Sequence, residues 1–420
     1  MEHHPDNPDK PPGPLAGVTV LDLTTMLAGP YATLLLAGLG ARVIKIENPN
    51  SPDPARGNSL FLGRDGVKAT PEHDDDLSLA ILDRGRNKEA VTLDLKHPDA
   101  RAIFMDLVRR ADVVVENFSP GVTERLGIDY ASCRAANPKI VYTSISGFGP
   151  DADPRLGKAV DIVIQAMSGL MMASGAEGEA PVRVGIPIGD QAAPLFATIG
   201  TLAAVLQARA TGQGQRVDVS LLGTMSALVA AEPFEMERKL GHATRSGNVL
   251  ARLAPSGVFP TADGHIAISA PKDAFAAGLF RAMGRPELIQ DARFCSRAAR
   301  VSNHAVLHEM VSAWTRTLDT GAAGALLAGC GVPNGPVRDP ADAMRDPGLL
   351  ARGETARLEH PVYGAVDDVV AGGLPIRMSD AFTGFDRPAV ALGASNGDVY
   401  GGLLGYDHEK LAWLAREGVI

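Results

Sequence analysis

The stretch Val18-Thr19-Val20-Leu21-Asp22-Leu23-Thr24-Thr25-Met26-Leu27-Ala28-Gly29-Pro30 decides the fold class of this chain. Its first six residues form a compact run rich in β-branched and apolar side chains, which is typical of a strand. Gly29-Pro30 then opens an apolar helix that runs through Leu36, because proline is tolerated in the first turn of a helix. A strand followed directly by a helix predicts the beginning of an α/β domain.

Further strand-like runs follow this first one. They are residues 42–47, 90–95, 113–115 and 139–145, and a helical pattern occupies residues 98–110. Strands that are separated by helices imply a parallel, doubly wound sheet. We therefore predict a doubly wound α/β large domain.

The sequence lacks the nucleotide-binding motifs that often accompany such a sheet. A dinucleotide-binding fold carries G-x-G-x-x-G directly after its first strand, where this chain has residues 24–30. Gly157-Lys158 lacks the earlier glycine and the following hydroxyl residue of a Walker A loop. Gly393-Ala394-Ser395-Asn396-Gly397 matches G-x-S-x-G, but only His408 follows it, so we interpret it as a polar surface turn and not as a nucleophile elbow.

Length and composition predict two domains and a tail. A chain of 420 residues exceeds what one core usually organises. We predict a disordered tail at 1–14, which is rich in Pro, Asp and His, and a large domain at 15–233. A smaller α+β domain at 234–341 and a C-terminal segment at 342–420 complete the prediction.

The bulk properties exclude several classes of partner. A net charge of −9 argues against nucleic acid. The three cysteines are far apart and form no C-x-x-C pair, so they indicate neither a metal site nor a disulfide framework. The longest apolar run, residues 192–206, is shorter than the roughly 20 residues that cross a bilayer. We therefore expect a cytoplasmic protein.

Asp190 is the most informative single residue. It ends the stretch Val182-Arg183-Val184-Gly185-Ile186-Pro187-Ile188-Gly189-Asp190 and precedes a long apolar helix. An acid in such apolar surroundings is costly to desolvate unless the site uses it, and the two glycines leave room for a ligand. Helix capping is the simpler account of the segment alone, because Asp is a favoured N-cap residue.

Basic and polar residues gather near the ends of the predicted strands. The cations are Arg84, Arg86, Lys88, Lys96 and Arg125. Ligands of a parallel sheet bind beyond the carboxyl ends of its strands, so these cations suggest an anionic ligand such as a phosphorylated cofactor. Scattered solvated charges are the alternative.

Two polar segments add to these cations. The turn at residues 116–121 exposes an amide beside an aromatic ring, and the segment from Gly157 to Asp161 places another cation and another acid before a helix.

Taken in order, these pieces resemble the family III CoA-transferases, the group that contains formyl-CoA transferase and the carnitine CoA-transferases. The resemblance spans residues 14–420. Its motifs are Leu21-Asp22-Leu23-Thr24, Ala28-Gly29-Pro30, Gly40-Ala41-Arg42-Val43-Ile44-Lys45-Ile46-Glu47, Arg86-Asn87-Lys88, Leu93-Asp94-Leu95-Lys96, Val115-Glu116-Asn117-Phe118, Asp161, Gln165-Ala166-Met167-Ser168-Gly169, Gly189-Asp190, Arg245-Ser246-Gly247-Asn248, Gly331-Val332-Pro333-Asn334-Gly335-Pro336-Val337 and Leu404-Gly405-Tyr406.

The resemblance implies a site, a substrate class and an assembly. Asp190 matches the nucleophilic aspartate of the family, and Asp161 matches an acidic neighbour in the active site. The positions that match CoA contacts are Leu27, Ala28, Leu93, Asp94, Leu95, Lys96, Asn117, Phe118, Ser119, Arg125 and Lys158. The family fold is a Rossmann-like large domain with a small domain, a C-terminal segment that returns to the large one, and an interlocked homodimer.

The implied activity moves CoA from an acyl-CoA to a carboxylic acid through aspartyl anhydride and aspartyl-CoA thioester intermediates, with coenzyme A as substrate and neither prosthetic group nor metal. We expect the oxyanion donors to be backbone N–H groups near residues 185–191. A racemase of 2-methylacyl-CoA thioesters resembles the same family, but it needs a histidine one position before Asp161, where this chain has Val160. A CoA-binding protein without turnover is a third possibility.

The chain departs from formyl-CoA transferase at two places. Asn48 stands where that enzyme has an arginine, and residues 249–254 differ from its glycine-rich lid, which argues against oxalate and formyl-CoA. Arg183, Arg245 and Arg252 are candidates for binding the far carboxylate of a dicarboxylic acid, and ordinary surface arginines account for them equally well.

Overall fold

A computed structural model describes residues 10–241 and 243–420. Its strands are β1 Thr19–Asp22, β2 Arg42–Glu47, β3 Phe61–Gly63, β4 Gly66–Lys68, β5 Leu77–Ser78, β6 Lys88–Thr92, β7 Val113–Glu116, β8 Val141–Ser146, β9 Arg216–Ser220, β10 Ser256–Pro260, β11 His265–Ser269, β12 Asn334–Pro336, β13 Thr355–Arg357 and β14 Val370–Gly372. Its helices are α1 Ala28–Gly38, α2 Leu79–Arg84, α3 Ala100–Val108, α4 Val122–Leu126, α5 Tyr130–Ala136, α6 Asp161–Met167, α7 Leu170–Ala173, α8 Ile188–Thr211, α9 Leu221–Val229, α10 Phe234–Lys239, α11 Asp273–Ala282, α12 Arg297–Ser302, α13 His304–Thr315, α14 Thr320–Gly329, α15 Pro340–Met344, α16 Pro347–Arg352 and α17 His408–Arg416.

Six strands form one parallel sheet in the order β6-β2-β1-β7-β8-β9. Numbered along the chain, these six strands lie in the order 3-2-1-4-5-6, which is that of doubly wound nucleotide-binding folds. The order reverses between β1 and β7, so a crevice is expected at the carboxyl ends of these two strands. The prediction of an α/β fold with a parallel sheet is confirmed, although β9 was not predicted.

The core of this sheet is built from the apolar residues that the sequence pattern singles out. Leu21, Ile44, Val91, Phe104 and Val114 are fully buried in one cluster. Each such side chain contributes roughly 1.5–3 kcal/mol through burial, so the strands and α3 are held mainly by hydrophobic packing.

The β1–α1 connection requires a glycine at its helix start. A Cβ on Gly29 would lie 2.3 Å from the Thr24 Cβ, so only glycine lets α1 approach the loop this closely.

The chain divides into two compact units. The first contains the described part of Met1–Ser168, together with Gly185–Val229 and Met344–Ile420. The second contains Gly169–Val184 and Ala230–Ala343, so it includes a stretch before α8 that the predicted boundaries place in the large domain. Within the second unit, β10, β11 and β12 form an antiparallel sheet, and Phe259, Ile266, Phe280 and Leu307 are among its buried core residues.

The described part of the predicted N-terminal tail is packed, contrary to expectation. Residues 1–9 of the predicted disordered tail lie outside the described residues. Lys10 forms an ion pair with Asp386 at 3.3 Å and lies 4.4 Å from the centre of the Phe382 ring. Gly13 approaches Gly40 so closely that a Cβ on Gly13 would lie 2.7 Å from the Gly40 Cα. Residues 10–14 therefore belong to the first unit.

The G-x-S-x-G segment forms a turn, as predicted, with Ala394 and Gly397 exposed, but Ser395 is buried and the segment also bonds to β6. Ser395 exchanges backbone and side-chain hydrogen bonds with Ala90 at 2.9 and 3.2 Å. The Asn396 Oδ1 accepts a hydrogen bond from the Thr92 N–H at 2.9 Å, and its Nδ2 donates to the Thr92 Oγ1 at 2.8 Å. Because β6 is an edge strand, its outward backbone groups need partners, and this segment supplies them.

α8 is longer than the apolar run from which it was predicted. It has 24 residues and packs against α1, β8 and α9, and buried hydroxyls of Thr143 and Thr201 join it to β8 at 2.7 Å. By length and mean hydropathy (1.3) alone the whole helix is able to span a bilayer, although the apolar run at 192–206 from which it was predicted is shorter than a span. Half of that apolar stretch is buried inside the protein, as in a core helix.

Candidate active site

Asp190 is the third residue of α8, and it does not cap the helix. The N-cap position is Pro187, and the Asp190 side chain makes no hydrogen bond with residues 10–241 or 243–420. Capping, which was the simpler account of the sequence, is therefore not its role. Its carboxylate is half-buried and available for other chemistry.

Asp161, at the start of α6, takes the capping role from another helix. Its Oδ1 accepts the Gly189 N–H at 2.7 Å and the Asp190 N–H at 3.4 Å, while its Oδ2 accepts the Gln165 Nε2 at 2.7 Å. A Cβ on Gly189 would lie 3.0 Å from the Asp161 Oδ1, so glycine permits this close approach. The backbone of the proposed nucleophile is thus held by a residue 29 positions earlier in the chain.

The electrostatic surroundings of Asp190 oppose its ionisation. Burial raises the pKa of its carboxyl, and the nearby charge of Asp161 raises it further, whereas the Arg84 guanidinium lowers it. The pKa of Asp190 is raised to about 6. A carboxyl group with such a pKa still ionises at neutral pH, but it is less stabilised there than an ordinary surface aspartate.

The expected oxyanion donors near residues 185–191 are largely occupied. The Ile188 N–H donates to the Ile186 carbonyl at 2.8 Å, and the Gln191 N–H donates to the Pro187 carbonyl at 3.1 Å. Together with the two N–H groups bound to Asp161, these bonds leave the start of α8 with few donors for a ligand. Within the described residues no hydrogen bond involves the N–H groups of Gly185 and Ile186, so these two groups stay the candidates for the predicted oxyanion donors.

The loop between β1 and α1 is fixed from two neighbouring strands. The Asn117 side chain accepts the Thr25 N–H and donates to the Thr25 carbonyl, both at 2.9 Å. The Asp53 Oδ1 accepts the Met26 N–H at 2.9 Å, and Met26 has a left-handed φ of 68°. Such a conformation costs about 1–3 kcal/mol in a non-glycine residue, and the bonds from Asn117 and Asp53 stabilise it. Leu27 and Ala28, which match CoA contacts, follow directly.

A buried ionic network beneath this loop was not predicted from the sequence. The Lys88 Nζ contacts the Asp22 Oδ2 at 3.0 Å, and the Lys45 Nζ contacts the Asp53 Oδ2 at 3.1 Å. Burial alone would raise the pKa of Asp22, but Lys88 and Lys45 hold it at about 2. Burial lowers the pKa of Lys88 to about 8, against the opposing charge of Asp22. The sequence feature that could have revealed this network is the presence of charged residues inside otherwise apolar strands.

Two of the predicted ligand-binding cations belong to the interior instead. Lys88 is part of the ionic network, and Arg86 donates to the Asp83 carbonyl at 2.8 Å and to the Gly372 carbonyl at 2.7 Å while its guanidinium lies over the Phe385 ring. Both side chains are buried, so neither reaches a ligand at the surface.

The remaining matched CoA positions follow the carboxyl ends of β1, β6, β7 and β8, which form one edge of the sheet. Arg125 and Lys158 are exposed and form no ion pair within the described part of the chain. Phe118 packs partly against the core, and Ser119 is exposed. Leu93 is buried, and its N–H donates to the Glu47 carbonyl at 2.7 Å, so it faces the core.

The Asp94 turn has a partner at the position where formyl-CoA transferase has an arginine. The Asn48 Nδ2 donates to the Asp94 Oδ1 at 2.7 Å, and the same oxygen accepts the Lys96 N–H at 3.1 Å. Asn48 therefore holds the turn that carries Leu95 and Lys96.

Among the described residues, Asp65, Glu72 and His73 bring possible metal-ligand atoms within 4.8 Å of one another. Lys68 pairs with Asp65 and Glu72 at 3.3 and 2.6 Å, and Arg64 contacts the His73 Nε2 at 2.8 Å. Bound cationic side chains already balance this exposed cluster, which lies in the region of the β3–β5 hairpins.

Residues 15–396 match the family model of CoA-transferase family III. The chain is 35% identical over 416 residues to a succinyl-CoA–D-citramalate CoA-transferase of Chloroflexus aurantiacus, covering 98% of this chain and 99% of the relative. It is 33% identical to a succinate–glutarate CoA-transferase of Agrobacterium fabrum, covering 94% and 96%. A CAIB/BAIF family protein from Brucella suis has a similar crystal structure, with a TM-score of 0.80 at 30% identity over 93% of this chain and all of that one.

Proposed function

Because the chain belongs to the family III CoA-transferases, it is an enzyme of the CoA-transferase type, and we propose that Asp190 is the residue that carries the acyl group during transfer. The observation that supports this role most strongly is the state of its carboxylate. It lies half-buried in the first turn of α8, makes no hydrogen bond within the described residues, and has a backbone that Asp161 holds in place.

The proposed reaction conserves the activated acyl bond through four substitutions. The Asp190 carboxylate attacks the thioester carbonyl of the donor, which forms a mixed anhydride and releases the CoA thiolate. The thiolate attacks the aspartyl carbonyl, giving an aspartyl-CoA thioester and the free donor acid. The acceptor carboxylate then attacks the aspartyl thioester and releases the thiolate again, with formation of a second anhydride. The thiolate finally attacks the acceptor acyl carbon, which yields the new acyl-CoA and restores Asp190.

Coenzyme A is proposed to lie along the carboxyl edge of the sheet. The exposed cations Arg125 and Lys158 follow β7 and β8 at that edge, and they suit the phosphates of CoA. The fixed β1–α1 loop presents Leu27 and Ala28 at the point where the strand order reverses. The acyl group would then reach Asp190, and water must be kept from both intermediates because it hydrolyses them.

We further propose succinyl-CoA as donor and a dicarboxylic acid as acceptor. The relatives from Chloroflexus and Agrobacterium, at 35% and 33% identity, carry succinyl-CoA or succinate in their names.

The racemase alternative has no such support, because the position before Asp161 is Val160, whose side chain transfers no proton. We also propose that the enzyme acts in the cytoplasm as a homodimer.

The test is to trap the intermediate on Asp190. The protein incubated with succinyl-CoA and hydroxylamine should yield a hydroxamate on the peptide that contains Asp190, as read by mass spectrometry. Asp190→Ala should lose transfer by at least about 10³-fold while CoA still binds, and the exposed Asp151→Ala serves as the matched control. A hydroxamate on another residue, or full activity of Asp190→Ala, would falsify the assignment.

A further inference from the structure

Arg84 stands out among the cations of the first unit because it is half-buried and yet has no bonded partner within the described residues. It is the last residue of α2, it is half-buried, and it makes no hydrogen bond or ion pair with residues 10–241 or 243–420. A guanidinium carries five donors, and removing it partly from water without acceptors is costly. Two residues later, Arg86 differs, since its Nε and Nη2 donate to backbone carbonyls and to Asp83, and only its buried Nη1 has no hydrogen bond within the described residues.

Arg84 lines a cavity beneath the β1–α1 loop. Other residues of its wall are Met26, Lys45, Asp53, Lys88 and Val390. The other cations of the wall are already paired, Lys45 with Asp53, Lys88 with Asp22 and Arg56 with Glu47. Their charges are therefore balanced inside the protein, and Arg84 is the wall cation among these described residues that is available to an anion.

Arg84 also interacts electrostatically with the proposed nucleophile. Its charge stabilises the ionised carboxyl of Asp190 and is stabilised in turn by Asp83, Asp53 and Asp190. A substrate acid that reacts at Asp190 is therefore within the electrostatic reach of the Arg84 guanidinium. The Arg84 guanidinium, which forms no bond with the described residues, therefore acts on the same carboxylate that the acyl group must reach.

The other arginines that the sequence suggested for carboxylate binding are engaged elsewhere. Arg245 donates to the backbone carbonyls of Ala180 (at 2.8 Å) and Glu179. Arg252 pairs with Glu232 at 2.6 Å. Arg183 is exposed and donates to the Val184 carbonyl at 3.1 Å. None of these environments matches the half-buried, unbonded state of Arg84.

We propose that Arg84 binds the free carboxylate of a dicarboxylic acyl group while the other carboxyl group of that acid reacts at Asp190. The inference rests on the proposed function and adds the residue that makes dicarboxylic acids the preferred substrates. A monocarboxylic acyl chain of equal length would leave the guanidinium without a counter-charge. A carboxylate would accept two parallel hydrogen bonds from it, which fixes the orientation of the chain as well as its charge.

The experiment compares two acids that differ in one carboxylate. Labelled succinate is exchanged into succinyl-CoA, and labelled butyrate into butyryl-CoA, with wild-type protein and with the Arg84→Gln and Arg84→Lys variants. The quantity measured is the ratio of kcat/KM for succinyl-CoA to that for butyryl-CoA. In Arg84→Gln this ratio should fall roughly 100-fold, since a buried charge pair loses one member. In Arg84→Lys, which keeps the charge but not the fork, it should fall roughly 10-fold.

The matched control is Arg125→Gln, which removes a proposed contact to CoA itself. It should slow exchange of both thioesters alike and leave the ratio unchanged. The inference is overturned if Arg84→Gln slows both thioesters equally, because Arg84 would then act only through the charge of Asp190. It is also overturned if the ratio falls in Arg245→Gln or Arg252→Gln but not at residue 84. Wild-type protein that exchanges neither acid contradicts the proposed function itself, whereas wild-type exchange of both acids at equal rates contradicts the Arg84 inference alone.

Discussion

At the scale of single residues, the site keeps a carboxylate in a state that costs stability. Burial and the neighbouring Asp161 both disfavour the ionised form of Asp190, and Arg84 offsets this only in part. A nucleophile that the protein does not stabilise by hydrogen bonds retains more of its reactivity than a solvated or capped aspartate. The same residue is therefore expected to lower the stability of the fold and to enable the reaction.

Replacement of Asp190 by Asn should stabilise the protein, and more so at high pH. The pKa of this carboxyl is about 6 in the folded protein against 3.8 in the unfolded chain. A raised carboxyl pKa means that stability is lost as pH rises from about 4 to 6 and stays low above it. Asp190→Asn removes that loss, so its melting temperature should exceed that of wild type by roughly 2–5 °C at pH 8 and by less at pH 5.

Differential scanning fluorimetry across this pH range measures the effect, with the exposed Asp151→Asn as control. An Asn variant that is less stable than wild type at pH 8 would contradict the electrostatic account.

Several site residues could be anticipated from the sequence, and others could not. Asp190 was identifiable because an acid interrupts an apolar, glycine-containing stretch. The sequence could not show that Arg84 is unbonded while Arg86 is bonded, since both are arginines two positions apart. The difference comes from Gly372 and Phe385, which contact Arg86. A side chain whose contacts come from residues distant in the sequence leaves no recognisable pattern in its own sequence neighbourhood.

At the scale of elements, α8 is positioned by a side chain from α6 and not by its own cap. The Asp161 carboxylate satisfies N–H groups that a preceding Ser or Asp usually satisfies. This exchange leaves the Asp190 side chain free while the helix start remains bonded. The sequence suggested instead that Asp190 caps α8, because N-cap preferences consider only residues adjacent to the helix start.

The edge strand β6 should depend on the amide of Asn396. Removing that side chain in Asn396→Ala leaves the buried Thr92 without the acceptor for its N–H, which should cost about 1–3 kcal/mol. Urea unfolding followed by circular dichroism measures the change. Asn50→Ala, at an exposed position, should stay within roughly 0.5 kcal/mol of wild type. Equal stability of the two variants would show that the edge contact contributes nothing.

Strand prediction succeeded where apolar residues are continuous and failed where they alternate. β2 was predicted with its observed bounds, since Arg42–Glu47 has a buried apolar interior. The run at 90–95 was displaced from β6 because Leu93 is apolar but already lies beyond the strand. β9 was not recognised, because Arg216–Ser220 alternates polar and apolar residues at the other edge of the sheet.

At the scale of the whole molecule, α8 presents an apolar face to solvent. Leu195, Ile199 and Leu206 are spaced as one helix face, and they are 47%, 65% and 69% exposed. A contiguous apolar stripe of this kind usually marks an interface. It supports the proposed homodimer of the 43.8 kDa chain.

Ile199→Asp should weaken that dimer. A charge on this face loses the burial of the side chain, about 1.5–3 kcal/mol, and adds a desolvation cost, so the association constant should fall at least roughly tenfold. Multi-angle light scattering over a dilution series measures the shift in mass. The control is Gln207→Asp, an exposed polar position on the same helix. A wild-type chain that runs as a monomer at every concentration would contradict the proposal.

The β6 edge also bears on how the chain is made. The ribosome synthesises Ser395 and Asn396 after all six strands of the sheet, yet these two residues complete the hydrogen bonding of its β6 edge. Until this segment has been synthesised, the nascent chain exposes a β-edge with unpaired backbone N–H and C=O groups, which is a template for aggregation. Premature termination between residues 212 and 393 would therefore release a product that contains the proposed nucleophile Asp190 but lacks the segment that pairs with the β6 edge.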